Sequence, residues 1–309
     1  MSAAMSISTP TVRIRDVSAR DGLQSEAPIS VEQRVELIDA LLAAGVRHLE
    51  IAAFVSPSAV PSMAGAAQVV AAVGRPTGVV RAALVPNLRG AEMALAAGID
   101  QLTVTISASA EYNRRNVKME IEQSIAQIRS IAAMAGDIGV DAVVSCSFGS
   151  PYEGDIASEQ IVSLVDQLID AGATAITLAD TTGMATPRRI SDLVAVVGPI
   201  AGDVGMHFHE ARGTGVLNVY AAWQAGVDRF DCSVGGLGGS PFAAGAAGNV
   251  ATEEVVALFD DLDVGTGLDI ERLIDAALLV ERFVGHVVPS RVAHVGPRSR
   301  LASVAPDDH

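Results

Sequence analysis

Two histidines separated by one residue could chelate a metal ion. His207 and His209 stand in the stretch Gly-Met-His-Phe-His-Glu-Ala-Arg, with Phe208 between them. Side chains alternate between the two faces of a strand, so residues two apart point the same way. If this stretch is a strand, both imidazoles share one face while Phe208 points to the other. Paired histidines can also be structural residues held by hydrogen bonds, so the pair alone leaves both interpretations open.

Charged residues also fall within or at the ends of apolar, β-rich stretches. They are Arg20, Asp21, Glu50, Asp180 and Asp231. Burying a carboxylate is costly unless it is paired or binds a metal, so these residues require partners. A divalent metal would supply one. The alternative for Asp180 and Asp231 is a salt bridge or a helix N-cap, and for Asp231 we favour that alternative.

A recurring Ala-Gly dipeptide marks the elements that must position these residues. It occurs at 44–45, 97–98, 171–172 and 225–226, each time after a stretch with helical periodicity and before a β-rich run. A helix that ends at a left-handed glycine and passes the chain to a strand gives this pattern. The same reasoning predicts eight strands, near residues 12–20, 46–54, 79–87, 99–107, 140–148, 173–180, 203–211 and 227–234. Predicted helices cover about 31–43, 62–73, 88–97, 120–135, 158–171, 187–198, 214–225 and 252–260.

Eight alternating strand–helix units predict an α/β fold, a closed (β/α)8 TIM barrel with a C-terminal extra helix. A doubly wound sheet is the alternative. We expect residues 1–309 to form one domain, with the barrel over about 12–260 and a helical extension over about 265–290. Active residues of such barrels lie at the carboxyl ends of the strands. That placement would bring Asp21 and Asn249 to the two histidines and complete a site of two nitrogens and two oxygens.

The composition excludes some classes of function. The chain has 36 acidic against 21 basic residues and a formal charge of −15, which disfavours binding to nucleic acid. Residues 1–10 lack a basic start and a long apolar run, and no stretch approaches the roughly 20 apolar residues of a membrane span. We therefore expect an acidic cytoplasmic enzyme. Cys146 and Cys232 are expected to be buried, reduced thiols.

A glycine-rich stretch follows the last predicted strand. Residues 233–249 contain six glycines, which let a backbone turn tightly and approach a ligand closely. The segment could be a lid or a phosphate cradle. Glycine spacing of this kind is weak by itself, because such spacings recur by chance and no Walker-type lysine follows.

Taken together, the motifs resemble those of the 3-hydroxy-3-methylglutaryl-CoA lyase family. They run in order along residues 12–284: Arg-Asp-Gly-Leu-Gln-Ser-Glu at 20–26, Glu50, Phe-Val-Ser-Pro at 54–57, Pro-Asn at 86–87, Pro-Tyr-Glu-Gly at 151–154, Ala-Asp-Thr-Thr-Gly at 179–183, His-Phe-His at 207–209 and the glycine-rich segment at 235–254. The resemblance also extends to a wider group of metal-dependent barrel lyases and synthases that includes isopropylmalate synthase.

The resemblance implies a divalent metal held by four residues, Asp21, His207, His209 and Asn249. Such ligands suit magnesium or manganese, and the histidines leave cobalt, zinc or iron as alternatives. It further implies cleavage of a 3-hydroxyacyl-CoA to acetyl-CoA. The expected assembly is a homo-oligomer. The residues implied to be catalytic are Arg20, Asp21, Glu50, His207 and Ser240. Those implied to bind substrate are Gln24, Asp141, Val143 and Asp180.

Several positions depart from the family pattern. Ser240 stands where the family has a cysteine thought to protonate the departing enolate, and a serine hydroxyl is a far poorer acid than a thiol. Asp141 and Val143 replace an arginine and a tyrosine on the fifth strand. Ala53 replaces a serine and Ala27 a lysine. The metal ligands are retained while the residues around the acyl group differ, so the reaction class is expected to hold and the usual substrate to change.

Three functions remain open. The first is a lyase acting on hydroxymethylglutaryl-CoA or a relative such as citramalyl-CoA or a longer branched analogue. The second is a Claisen-type condensing enzyme, which we disfavour because the chain ends near residue 309 without the extra domain of the long synthases. The third is a non-catalytic metal-binding barrel, which the number of matching site positions disfavours.

Overall fold

A computed structural model describes residues 12–239 and 248–303. Its eight parallel strands close into a barrel in chain order, β1 next to β8, as the sequence predicts. The strands are β1 Arg13–Asp16, β2 His48–Ala53, β3 Val80–Leu84, β4 Gln101–Ser107, β5 Gly139–Ser145, β6 Ala175–Asp180, β7 Val204–Phe208 and β8 Arg229–Cys232. The alternative of an open, doubly wound sheet is therefore wrong.

Helices surround the barrel close to their predicted positions. They are α1 Val31–Ala43, α2 Ala66–Val73, α3 Leu88–Ala97, α4 Ala110–Val117, α5 Ile121–Ala135, α6 Ser158–Asp170, α7 Pro187–Ala201, α8 Gly215–Gln224, α9 Thr252–Asp261, α10 Ile270–Val284, α11 Arg291–Val295 and α12 Arg298–Ser303. The predicted C-terminal extra helix is α10. The short helices α4, α11 and α12 were not predicted.

Local sequence explains where these helices begin and end. Ser30 caps α1 because its hydroxyl accepts from the Gln33 amide while the Gln33 side chain accepts from the Ser30 amide. The predicted Ala-Gly junctions are left-handed at each glycine, with φ between 80° and 99°. A residue with a Cβ is strained there, so glycine ends the helix and turns the chain into the next strand.

The barrel interior contains a buried layer of paired charges below the predicted site. Arg15 of β1 donates to Asp141 of β5 at 2.6 Å and to both carboxylate oxygens of Asp231 of β8, at 2.8 and 2.7 Å. Arg229 also donates to Asp141, at 3.1 Å, and Thr177 donates to it at 2.8 Å. The salt bridge expected for Asp231 is confirmed.

This layer corrects the expectation that Asp141 binds substrate. Its side chain is fully buried and its carboxylate is occupied by Arg15, Arg229 and Thr177. The two arginines outweigh burial and lower the pKa of Asp141, so it stays ionised. Asp141 is a structural counterion in the floor of the barrel.

Replacing Asp141 by asparagine is expected to lower the free energy of unfolding by about 3 kcal/mol or more, because two buried arginines lose a counterion. Asp228→Asn, which breaks the half-exposed pair with Arg13, is the control and is expected to cost less than about 1 kcal/mol. Urea denaturation followed by circular dichroism measures both. Equal small losses in the two variants would contradict the assigned role of Asp141.

Two further expectations can be compared with the structure. Cys146 and Cys232 are both buried and neither forms a disulfide, as predicted. Within residues 12–239 and 248–303, no helix combines the length and apolar character needed to cross a membrane.

Candidate metal centre and active site

Asp21, His207 and His209 meet at the carboxyl end of the barrel. One side-chain ligand atom from each lies within 4.8 Å of the others. The two histidine Nε2 atoms are 3.1 Å apart, and His207 Nε2 is 3.9 Å from Asp21 Oδ2. Three ligand atoms converging from different elements form the arrangement that a metal ion requires. The shared face expected for the two histidines is present.

Two separate parts of the chain bring these ligands together. Asp21 lies in a short π-helix, Ser18–Gly22, directly after β1. His207 is in β7, whereas His209 lies just beyond its end and pairs with Asn249 in an antiparallel bridge. This bridge places Asn249, the last residue of the glycine-rich segment, beside the histidine pair.

Asn249 offers an oxygen to the same centre. Its Nδ2 donates to Asp21 Oδ2 at 2.8 Å and to the Leu237 carbonyl at 2.9 Å. Both neighbours are acceptors, so the amide nitrogen must face them, and this fixes the orientation of the amide. Oδ1 is then buried without a hydrogen-bond partner among the described residues. A buried, unsatisfied oxygen next to Asp21 fits a fourth ligand of a divalent cation.

Glycines allow the backbone to close around this centre. A Cβ on Gly238 would lie 2.5 Å from Asn249 Nδ2 and 2.9 Å from the Asp21 carbonyl. A Cβ on Gly248 would lie 1.7 Å from the Gly236 carbonyl oxygen. A larger residue at Gly238 would displace Asn249 or Asp21, and one at Gly248 would displace the backbone of Gly236. The described glycines at the two ends of the segment therefore support the candidate metal centre.

Charges around the centre keep the candidate ligands in place. Burial alone raises the pKa of Asp21, but Arg20 and the two histidines outweigh it and lower that pKa to about 2. His207 Nδ1 is 3.2 Å from Asp231 Oδ2. An acceptor at Nδ1 orients the ring and leaves Nε2 facing Asp21 and His209. Asp231 thus joins the histidine to Arg15 in the charged layer below.

Arg20 bridges two carboxylates beside the centre. Its Nη1 donates to Asp21 Oδ1 at 2.6 Å, and its Nε donates to Glu50 Oε2. Glu50 is buried, and its Oε1 has no partner among the described residues. Arg20 Nη2 makes no hydrogen bond within the described chain and remains available to a ligand. Two nitrogens of the guanidinium, Nε and Nη1, are thus held by carboxylates, and Nη2 can donate to a ligand.

A cavity of about 830 Å³ opens above these residues. Six of the predicted site residues line it: Arg20, Asp21, Gln24, Val143, His207 and His209. Glu50, Asn249 and Asp180 lie behind that lining, and Asp141 lies in the charged layer below. Ser240 lies outside the described residues.

Asp180 stabilises the turn after β6. Its Oδ1 accepts from the amides of Met184 and Ala185, at 2.7 and 2.9 Å. Burial raises the pKa of this carboxyl to about 6, partly opposed by the two amides. Asp180 therefore organises the end of β6, and its absence from the residues that line the cavity does not support the direct substrate contact implied by the resemblance.

Sequence reasoning did not anticipate Arg15 or Arg229 as partners of the site. Both side chains are almost fully buried, and Arg15 reaches Asp231, the residue that orients His207. The available signal was an arginine placed in the interior of a predicted strand, between Ile14 and Asp16 of β1. That signal predicts a buried cation, but it does not reveal which carboxylates meet it.

Comparisons with known proteins agree with the geometry. A family model described as HMGL-like matches residues 11–280. The 3-hydroxy-3-isohexenylglutaryl-CoA/hydroxy-methylglutaryl-CoA lyase of Pseudomonas aeruginosa is 39% identical, over 91% of this chain and 96% of its own. The (R)-citramalyl-CoA lyase of Chloroflexus aurantiacus is also 39% identical, over 96% of this chain and 98% of its own. A solved structure of an HMG-CoA lyase from Acinetobacter baumannii, in complex with coenzyme A and 3-methylmalate, has a TM-score of 0.91 at 35% identity, covering 96% of this chain and 97% of that one.

Proposed function

This chain belongs to the HMGL-like family, and from that membership we propose that it is a carbon–carbon lyase that cleaves a 3-hydroxyacyl-CoA into acetyl-CoA and a carbonyl product. Its relatives include lyases named for hydroxymethylglutaryl-CoA and for citramalyl-CoA. Both names describe the same reaction on different acyl groups. The observation that carries the proposal is the convergence of Asp21, His207, His209 and Asn249 on one point beside Arg20.

The reaction is a retro-Claisen cleavage. The 3-hydroxyl loses its proton, the bond between C2 and C3 breaks, and C3 becomes a carbonyl. The electron pair of the broken bond passes to the thioester as an enolate, which takes up a proton at C2 to give acetyl-CoA. No oxidant or reductant is required. The site must therefore stabilise charge on two oxygens, that of the hydroxyl and that of the thioester.

Asp21, His207, His209 and Asn249 would hold a divalent metal, with magnesium or manganese as the proposed ion. When bound, it lowers the pKa of the substrate hydroxyl and stabilises the negative charge on that oxygen. Asp231 keeps the His207 ring oriented. Asn249 contributes its free Oδ1 while its amide nitrogen holds Asp21.

Arg20 would stabilise the thioester enolate through its free Nη2. A fixed cation that is positioned before the reaction is most effective where negative charge develops. Glu50 holds that guanidinium from below, and its unpartnered Oε1, together with Asp21, could accept the hydroxyl proton. Gln24 and Val143 line the cavity in which the acyl-CoA would lie.

Ser240 is proposed either to protonate the enolate or to hold the substrate or the glycine-rich segment. Cytoplasmic location and homo-oligomer assembly also stay predictions.

The proposed function predicts release of acetyl-CoA from 3-hydroxyacyl-CoA esters in the presence of manganese or magnesium. The thioesters are incubated with purified protein, and acetyl-CoA is quantified by chromatography. Treatment with a chelator should abolish turnover, and restoring the metal should recover it. Full turnover by a thoroughly metal-free sample would contradict the metal requirement. Absence of acetyl-CoA from every ester would favour the alternative of a non-catalytic metal-binding barrel.

A further inference from the structure

The cavity wall opposite the candidate metal ligands is built from neutral side chains. In a closed eight-stranded barrel the strand four places away lies opposite, so β3, β4 and β5 face β7, β8 and β1. Arg15 of β1 crosses this interior to reach Asp141 of β5. Nearer the carboxyl ends of the strands, the opposite wall presents Leu84, Thr105 and Val143 to the cavity. We call these three residues the neutral wall.

Every arginine that projects into the barrel near this wall is already paired with carboxylates. The three arginines are Arg15, Arg20 and Arg229, and the five carboxylates against them are Asp21, Glu50, Asp141, Asp203 and Asp231. Arg15 and Arg229 lie in the buried layer of paired charges below the cavity, and their side chains are only 1% and 3% exposed. Arg20 is the arginine that lines the cavity, and it lies on the side of Asp21.

The parts of the sequence outside the described residues contain no lysine or arginine that could contact the neutral wall. Residues 1–11, 240–247 and 304–309 contain neither type of residue. All 21 basic residues therefore lie within the described part of the chain, where Arg20 is the one that contributes to the cavity lining. The positive charge available to a ligand is concentrated on the side of Arg20 and the candidate metal ligands.

This distribution of charge discriminates between possible acyl groups. Burying a carboxylate without a cation is costly, and the effective penalty reaches several kcal/mol. A carboxylate attached directly to the carbinol carbon stays beside the reacting hydroxyl, on the side of Asp21, His207 and Arg20. A carboxymethyl arm can place its carboxylate one carbon farther away, against the neutral wall.

We propose that the neutral wall selects substrates in which the group extending across the barrel is uncharged. The substrate class is then a 3-hydroxyacyl-CoA whose carbinol carbon bears either a directly attached carboxylate or alkyl groups alone. This inference rests on the proposed lyase function and names the acyl group of that same site. Hydroxymethylglutaryl-CoA, with its carboxymethyl arm, is a poor substrate under this proposal.

Three thioesters test the proposal, because they differ in one group on the same tertiary carbinol. Citramalyl-CoA, used as each enantiomer, carries a carboxylate, hydroxymethylglutaryl-CoA carries a carboxymethyl group, and 3-hydroxy-3-methylbutyryl-CoA carries a second methyl group. We expect kcat/KM for citramalyl-CoA or 3-hydroxy-3-methylbutyryl-CoA to exceed that for hydroxymethylglutaryl-CoA by at least about tenfold, equivalent to about 1.4 kcal/mol. Hydroxymethylglutaryl-CoA as the best substrate of the three would overturn the proposal.

A charge placed on the wall provides a second test that does not need turnover. Val143→Arg adds a cation, and Val143→Gln is the neutral control of comparable length. Binding of each thioester to the metal-free protein is measured by calorimetry, after circular dichroism has shown that both variants fold. We expect hydroxymethylglutaryl-CoA to bind at least about fivefold more tightly to the arginine variant than to the glutamine variant. The affinity of 3-hydroxy-3-methylbutyryl-CoA should be the same for both.

The two experiments separate failure of this inference from failure of the proposed function. If none of the esters yields acetyl-CoA, the lyase function is wrong, and the calorimetric comparison still decides whether the wall discriminates against charge. If cleavage occurs but hydroxymethylglutaryl-CoA is preferred, the lyase function stands and the neutral wall does not select the acyl group. Equal affinity of Val143→Arg and Val143→Gln for hydroxymethylglutaryl-CoA would also reject the placement of the carboxymethyl arm. Should either variant fail to fold, the comparison of the three substrates with the unmodified protein remains decisive.

Discussion

Replacing His209 by alanine is expected to abolish metal binding at the site and, with it, turnover. His209 Nε2 lies 3.1 Å from His207 Nε2, and both belong to the cluster formed with Asp21. Loss of a residue that only orients a ligand typically weakens metal affinity about 10- to 100-fold, and loss of the ligand itself should cost at least as much. We expect metal affinity and kcat to fall by about 100-fold or more.

The matched control is His294→Ala. His294 is a partly exposed histidine of α11 whose ring lies 3.4 Å from Glu281. Metal content is measured by elemental analysis after dialysis, affinity by calorimetry, and folding by circular dichroism. The control should keep both metal and turnover. If the two variants lost metal equally, or if His209→Ala kept full metal content, the candidate metal centre would be misplaced.

Much of the barrel could be predicted because its signals are local. The Ala-Gly junctions report backbone conformation directly, and the structure has left-handed glycines at all four. Alternation of side chains along a strand was sufficient to place His207 and His209 on a common face. The short helix α4 was missed because it lies in a loop that connects a strand to the next predicted helix. Its start depends on a cap at Ser109, whose hydroxyl accepts from the Tyr112 amide.

Long-range partners were harder to predict. The sequence places Asp141 on a strand, but the ion pair with Arg15 joins residues 126 positions apart across the barrel. No local pattern distinguishes a buried counterion from a residue that faces substrate. Asn249 was easier to place than Asp141. It ends a glycine-rich segment that follows the last strand, and the carboxyl ends of all strands of a barrel lie at the same end. The sequence therefore placed it correctly beside Asp21. The catalytic role that the resemblance implies for Ser240 stays a prediction.

Arg20→Lys is expected to lower kcat by about 100- to 1,000-fold although the charge is kept. Removing one preorganised donor to a developing oxyanion typically has an effect of this size. Arg20 uses Nε for Glu50 and Nη1 for Asp21, and it keeps Nη2 for a ligand oxygen. A lysine ammonium is a compact point charge without the planar fork, so it cannot hold two carboxylates and present a third donor in the same directions.

The control is Arg47→Lys, in which the guanidinium donates to the carbonyls of Leu42 and Val46 away from the cavity. That variant should keep its kcat. Because Asp21 is both a partner of Arg20 and a candidate metal ligand, metal content must be measured alongside the kinetics. Loss of kcat with full metal content would assign Arg20 to the transition state, since an interaction made only there lowers kcat and kcat/KM together. If kcat instead stayed within about twofold while KM rose, Arg20 would bind substrate and transition state equally, and stabilisation of the enolate would have to come from another group.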